Sequence, residues 1–356
     1  MSIVPIAITQ GDPAGIGPEI IAKAFRDAPD LTRGCFVVGD VAIMRRAVQF
    51  ISGPGRVGIP VGLIDTAAGA WQAPPRCIPV LPIPGASRSG APVALGVVSA
   101  LAGQMAADCV IWAAQAALRG EIAALVTAPV HKEALAAAGV PYPGHTELLQ
   151  ALAAAHLGKP VSDVPVRMLL ANDELQTVLV SIHVSLRDAI EAVTTANLLQ
   201  TLRLTHQFLH RVVKSGDTNA HPPLRARIGV AGLNPHAGEG GLFGREELDI
   251  IQPAIALAQA EGIDVHGPFA PDTVFMRARA KPGEPGEFDV VVAMYHDQGL
   301  IPVKYLGVEK GVNVTIGLPL VRTSPDHGTA FDIAGTGQAD ASSLIAAIGM
   351  ARQLCK

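Results

Sequence analysis

Charge is scarce in this 356-residue chain: 16% of its residues are Asp, Glu, Lys or Arg, and 27 basic groups stand against 31 acidic ones for a formal balance of −4. That excludes a disordered polyelectrolyte tail, and it leaves no excess of basic residues from which to build a nucleic-acid-binding face. Aromatic residues are equally thin, at 4%. The four cysteines, Cys35, Cys77, Cys109 and Cys355, never form Cys-x-x-Cys. Neither a disulfide framework nor a thiolate zinc site is expected, and a reducing, cytoplasmic setting fits best. No run of about 18 apolar residues is free of polar interruption; the richest stretch, 93–118, contains Gln104, Asp108 and Gln115. Residues 1–9 lack a basic segment followed by a sustained apolar one, so they read as a first strand rather than a secretory signal. The expected partner is therefore a small molecule, with no nucleic acid and no membrane.

What is present is a hydrophobic fraction of 49%, enough at this length for about two packed α/β domains. Short β-branched runs alternate with Ala- and Leu-rich stretches, the pattern of parallel sheets built from βαβ crossovers. Strands are predicted at 3–9, 36–38, 123–127, 166–170, 177–182, 227–233 and 289–295, and helices at 18–26, 93–118, 148–155, 186–208, 245–261 and 341–354. The segment 51–92 is rich in Gly and Pro and reads as an irregular excursion. A change of texture at 128–144 suggests a border: a first α/β domain of 1–130 plus about 332–356, and a second of 131–331.

Three of the eleven histidines sit just beyond predicted strands: His183, His236 and His296. In an open parallel sheet the strand carboxyl ends share one edge, where ligands bind. Three imidazoles there would suit a divalent metal with a coordination position left open. A single histidine after a strand is more often a hydrogen-bonded loop residue, and a metal-dependent hydrolase would use the same trio. His145 and Thr146 precede the 148–155 helix, where free backbone N–H groups attract phosphate or carboxylate, although an ordinary cap reads the same way. The Gly11–Glu19 loop occupies the place of a phosphate-cradling turn but matches neither G-x-G-x-x-G nor a nucleotide-triphosphate loop. In the loop from Asn234 to Gly241, the glycines would let a ligand approach the backbone, although a flexible surface loop reads the same way; Asn234, Gly238, Glu239 and Gly240 are the candidates for cofactor contact.

Lys304, Asn313 and Arg322 follow in strand- and turn-like sequence; beside a metal they would hold an anionic substrate, although a set of solvated surface charges is the more usual reading. Asp297 beside His296, and Asp326 beside His327, read equally as groups that orient imidazoles or move protons and as ordinary turn residues. A Ser324, His327 and Asp326 triad lacks the Gly-x-Ser-x-Gly elbow that would support it.

The motifs Gly11-Asp12-Pro13-Ala14-Gly15-Ile16-Gly17-Pro18-Glu19, Gly144-His145-Thr146-Glu147, Asn234-Pro235-His236-Ala237-Gly238-Glu239, Met294-Tyr295-His296-Asp297-Gln298-Gly299 and Arg322-Thr323-Ser324-Pro325-Asp326-His327-Gly328-Thr329 together resemble the 4-hydroxythreonine-4-phosphate dehydrogenase family. The resemblance spans nearly the whole chain and is weakest over 51–92. It implies a two-domain α/β subunit with parallel or mixed sheets, like the isocitrate and isopropylmalate dehydrogenases, with the active site in the interdomain cleft of a homodimer that shares its sites. It further implies that His183, His236 and the partner subunit's His296 ligate one divalent metal (zinc, magnesium, manganese or cobalt), and that the second domain carries most metal and substrate residues and the dimer interface. His145, Thr146, Lys304, Asn313 and Arg322 match substrate-binding positions. The implied reaction is NAD- or NADP-dependent oxidation of a small phosphorylated hydroxy acid followed by decarboxylation, with Lys304 and Asp297 as catalytic candidates. Asp12 stands where many biosynthetic members carry Glu, a feature shared with sister enzymes that oxidise D-threonate or D-erythronate 4-phosphate.

Overall fold

The computed structural model describes residues 4–53, 58–83, 93–142, 144–215, 226–281 and 283–355. Twelve strands run in chain order: β1 Ile6–Thr9, β2 Cys35–Val38, β3 Val61–Leu63, β4 Ile78–Leu81, β5 Ala124–Thr127, β6 Arg167–Ala171, β7 Gln176–Leu179, β8 Ile228–Ala231, β9 Val265–Phe269, β10 Val290–Ala293, β11 Val312–Ile316 and β12 Val321–Pro325. The chain divides into two compact units, 1–165 with 318–355, and 166–317.

In the first unit the strand order is β3-β4-β2-β1-β5-β12, and every pairing is parallel. Strands β1, β2, β4 and β5 are buried at every residue, as expected when helices cover both faces of a parallel sheet. Helix Gly17–Asp27 starts on Pro18 and carries Glu19 in its first turn, favourable placements at the positive end of a helix. Helix Val41–Ser52 is capped by Asp40, whose Oδ1 accepts from the amides of Ala42 at 2.7 Å and Ile43 at 3.1 Å. Helix Ala100–Leu118 lies so close to helix Lys132–Ala137 that a Cβ on Gly103 would fall 1.9 Å from the Ala134 carbonyl oxygen.

The second unit has the order β11-β6-β7-β10-β8-β9; β11/β6 and β6/β7 are antiparallel and the other pairs parallel. Its core gathers Leu170, Leu179, Phe275, Phe288, Val291, Leu300 and Val303.

Several expectations are corrected. The border falls after residue 165, not 130, because helices Lys132–Ala137 and His145–Leu157 pack on helix Ala100–Leu118 of the first unit. The return begins at 318, not about 332, because β12 pairs with β5. The described part of 51–92 contributes β3 and β4, and its residues 54–57 and 84–92 lie outside the described residues. The predicted 186–208 helix is two helices, Leu186–Ala192 and Thr195–Ser215; the Thr194 hydroxyl accepts from Asn197 N at 3.2 Å, capping the second. The 245–261 helix opens with a wider π turn, Glu247–Ile251, followed by helix Gln252–Ala260, whose second residue, Pro253, has no N–H to give. Finally, the stretch after His296 is helical, His296–Gly307, despite Gly299 and Pro302.

Candidate active site

In the second unit, β7 and β10 run parallel with Leu179 opposite Ala293, so the turns that follow them emerge side by side. The turns are tied together, Val180 N donating to the Ala293 carbonyl at 2.9 Å and Ser181 Oγ to the Met294 carbonyl at 3.0 Å. This brings His183 and His296 together in one chain, with ring centroids 5.7 Å apart. Two imidazoles sharing one tetrahedral cation at about 2.0–2.1 Å have centroids roughly 5–6 Å apart, so the pair fits a divalent metal. His296 Nδ1 lies 2.7 Å from Asp297 Oδ1, which leaves Nε2 for a cation, the carboxylate–imidazole arrangement typical behind a metal ligand. A hollow of about 240 Å³ is lined by His183, His296, Asp297 and Tyr295.

His236 lines a neighbouring hollow of about 720 Å³, which shares Tyr295 and Asp297 as walls. Its ring stands 6.1 Å from that of Phe243. Among the described residues, no group of three or more His, Cys, Asp or Glu side chains able to hold a metal is assembled. His183 and His296 of one chain are thus side by side, whereas the resemblance implied that His296 comes from the partner subunit, and His236 stands apart from that pair.

The turn carrying His236 is strained. His236, Ala237, Gly238, Glu239 and Gly240 all have φ between 43° and 79°, and the left-handed region costs non-glycine residues about 1–2 kcal/mol each. A buried carboxylate holds it in place. Glu247, 1% exposed, accepts from Leu233 N at 2.8 Å and Asn234 N at 2.7 Å through Oε1, and from Asn234 Nδ2 at 3.0 Å through Oε2. A Cβ on Gly238 would lie 2.7 Å from that Oε2, so glycine is required there. Gly240 faces open space, and Glu239 is exposed. Gln298 bridges the turns that carry His236 and His296: its Oε1 accepts from Met294 N at 2.7 Å and its Nε2 donates to the Gly232 carbonyl at 2.7 Å. Neither Glu247 nor Gln298 was singled out by sequence. Glu247 lies in a predicted helix with nothing in its spacing to mark a loop clamp. Lys304 is exposed on helix His296–Gly307, and Asn313 is half-buried on β11 opposite Leu170.

The first unit holds a different set. His145, Thr146 and Arg322 lie here, correcting their placement in the second domain. Arg322, on β12 and 4% exposed, donates Nε and Nη2 to Thr127 Oγ1 at 3.1 and 2.7 Å. Burial pushes its guanidinium down to about 10, with Glu147 opposing the shift. His145 opens helix His145–Leu157 behind Gly144, which provides no side-chain cap. Its Nε2 is buried and, among the described residues, has no hydrogen-bond partner. Burial, and then the Arg322 charge, hold the ring well below its usual value, so it is neutral near pH 7. A buried guanidinium, a neutral imidazole and uncapped helix N–H groups make an anion cradle that a phosphate or carboxylate would satisfy. Ser324 is buried on β12, and His327 turns Nδ1 to the Gly328 carbonyl at 3.0 Å.

Among the described residues, no helix is long and apolar enough to cross a membrane. The family model for pyridoxal phosphate biosynthetic protein PdxA matches residues 32–351. A 4-hydroxythreonine-4-phosphate dehydrogenase of Beijerinckia indica subsp. indica is 51% identical over 352 residues, covering 98% of this chain and 95% of that protein. A D-threonate 4-phosphate dehydrogenase of Salmonella typhimurium is 44% identical, covering 99% and 100%. The crystal structure of a 4-hydroxythreonine-4-phosphate dehydrogenase from Klebsiella pneumoniae superposes with a TM-score of 0.82 at 41% identity, covering 99% and 98%. The chain belongs to the PdxA family of dehydrogenases.

Proposed function

We propose that this dehydrogenase, using NAD and a divalent metal, oxidises the secondary alcohol of 4-phosphohydroxy-L-threonine and decarboxylates the β-keto acid to 3-amino-2-oxopropyl phosphate. The observation that carries the reading is one chain holding both the His183–His296 pair and the buried Arg322–His145 cradle. A hydrolase needs only the former and a phosphate-binding protein only the latter; family membership sets both aside. A second substrate, D-threonate or D-erythronate 4-phosphate, is favoured by the Salmonella relative's name.

In this reading His183, His236 and His296 hold zinc, magnesium, manganese or cobalt, and the active form is a homodimer whose second copy completes the ligand set. Exposed Val184, Leu186, Ile301, Met276 and Tyr305 around the imidazoles offer apolar surface for that copy. When bound, the metal supplies Lewis acidity at the alcohol oxygen and the nicotinamide supplies the hydride acceptor. Asp297 fixes the His296 tautomer by accepting from Nδ1. Arg322, His145 and Thr146 grip the phosphate, with Asn313 as a further hydrogen-bonding group, so binding energy remote from the reacting carbon positions it. Lys304 moves the alcohol proton. Asn234, Gly238, Glu239 and Gly240 form the cofactor-contacting loop, with the open side of Gly240 allowing close approach.

The test is a panel of the three phosphorylated acids with metal-replete enzyme, followed by NADH absorbance and carbon dioxide release. Fastest turnover of 4-phosphohydroxy-L-threonine is expected; preference for another acid selects the second substrate, and no NADH from any of them overturns the reading.

A further inference from the structure

A parallel sheet binds ligands outside its strand carboxyl ends where the strand order reverses. In the first unit the chain passes from β1 outward through β2 to β3 and β4, then resumes on the opposite side of β1 as β5. The loops leaving β1 and β5 therefore flank the reversal point. They carry Asp12 and His131, which have no part in the chemistry above.

Both residues are held with unanswered polar atoms. Asp12 is 1% exposed; its Oδ1 accepts from Ala14 N at 2.9 Å, while Oδ2 is buried and, among the described residues, has no hydrogen-bond partner. His131 Nδ1 is also buried and unpartnered, with its ring stacked on Phe331 at 4.7 Å between centroids and 25° between planes. The surrounding loops are tied to one another by backbone hydrogen bonds and close approaches. Asp12 N donates to the Pro129 carbonyl at 2.9 Å and Ile16 N to the Thr329 carbonyl at 3.0 Å. Gly11, with φ of 72°, sits where a Cβ would be 2.5 Å from the Pro129 carbonyl oxygen, and a Cβ on Gly15 would be 2.8 Å from that of Thr329. Burial also pushes the Asp12 carboxyl up, against the Ala14 amide and the His131 charge. An unanswered buried acceptor is costly, and a hydroxyl-bearing ligand entering between these loops would answer it.

The chemistry narrows that ligand. A buried carboxyl repels phosphate, while an acceptor within electrostatic reach of an imidazole suits a ligand with neighbouring hydroxyl groups, as when an acidic side chain takes a ribose hydroxyl. We propose that Asp12 and His131 form a diol-binding subsite that holds a ribose of the nicotinamide dinucleotide. The proposal rests on the dehydrogenase reading above; the same hydroxyl chemistry is also offered by the substrate's carbon chain, so the test separates the two sources.

Asp12→Asn retains an acceptor for Ala14 N but replaces one carboxylate oxygen, and His131→Phe keeps the stacked ring while removing Nδ1. For each variant and the parent enzyme, NADH affinity is read by fluorescence titration, 4-phosphohydroxy-L-threonine affinity by calorimetry without nucleotide, and folding by thermal melting. NADH affinity is expected to fall about 10- to 100-fold in both variants, with substrate affinity and melting unchanged. Loss of substrate affinity alone assigns the hydroxyls to the substrate and overturns the ribose assignment. Unchanged affinity for both ligands in a folded variant overturns the subsite. A parent enzyme that binds no NADH overturns the dehydrogenase reading and the ribose assignment together, whereas a parent that binds it normally confines any failure to the subsite. Should Asp12→Asn melt out, His131→Phe decides alone.

Discussion

The two units solve recognition in opposite ways. In the first, the groups that would grip an anion are enclosed and fixed by the sheet: Arg322 is buried in β12 with its guanidinium on Thr127, and His145 is kept neutral beside it. In the second, the imidazoles stand at the surface on turns with positive φ at His183 and His236, among bare apolar side chains such as Met276 and Tyr305, which are 74% and 90% exposed. A buried cation discriminates by desolvation and geometry and needs no further protein surface. Exposed imidazoles amid exposed apolar groups call for a second surface to enclose them.

Breaking the second unit's half should produce the largest effect. His296→Ala is expected to lower turnover by more than about 1,000-fold and to abolish the visible absorption of the cobalt-substituted enzyme; Asp297→Asn, which leaves the ring in place, should cost roughly 10- to 100-fold in metal affinity. Retention of metal by His296→Ala would show that the pair is not a ligand set. Arg322→Ala should lose about 3 kcal/mol of substrate binding, or roughly two orders of magnitude in kcat/KM, with cobalt affinity unchanged; Arg322→Lys should recover little, because the fork rather than the charge is matched to phosphate. Parallel loss of metal in Arg322→Ala would erase the division of labour between units.

Smaller effects sharpen the contrast. Glu247→Ala strands the amides of Leu233 and Asn234 and should destabilise the protein by about 2–5 kcal/mol, read as a lower melting temperature and weaker metal binding. Tyr305→Asp should shift the sedimentation profile toward monomer while leaving Arg322-dependent phosphate binding intact. The least effect concerns pH. His145 is held neutral in the folded chain but titrates near its ordinary value of 6.5 when unfolded. The unfolded state therefore binds the extra proton first, so this stability is present above about 6.5 and is lost as pH falls below it. His145→Gln should flatten the melting temperature against pH over that window.

Where the strands are apolar and buried, as in β1, β5 and β10, the sequence pattern was sufficient. Strands β3, β4, β9, β11 and β12 were not delimited; β4, β9 and β12 carry residues that argue locally against a strand: Pro79, the Gly267-Pro268 pair, and Arg322 with Pro325. Tertiary pairing overrides those preferences. Helix His296–Gly307 was hidden by Gly299 and Pro302, yet the glycine is what lets it settle on β7, where a Cβ would lie 2.4 Å from Leu179. Imidazoles after strands were legible because strand ends face one edge. Their clamps were not, since Glu247 and Gln298 act through contacts that no local spacing encodes.

The pairing of β12 with β5 has a consequence for synthesis. The second unit is an insertion, complete once residue 317 has left the ribosome, whereas the first still lacks its last strand and its final helix, Ser342–Leu354. Arg322 can reach Thr127 only after that late arrival. The nascent chain therefore carries a finished inserted domain before Arg322 has joined the His145 helix, and a truncation removing β12 should leave the imidazole-bearing domain folded and β5 without its neighbour.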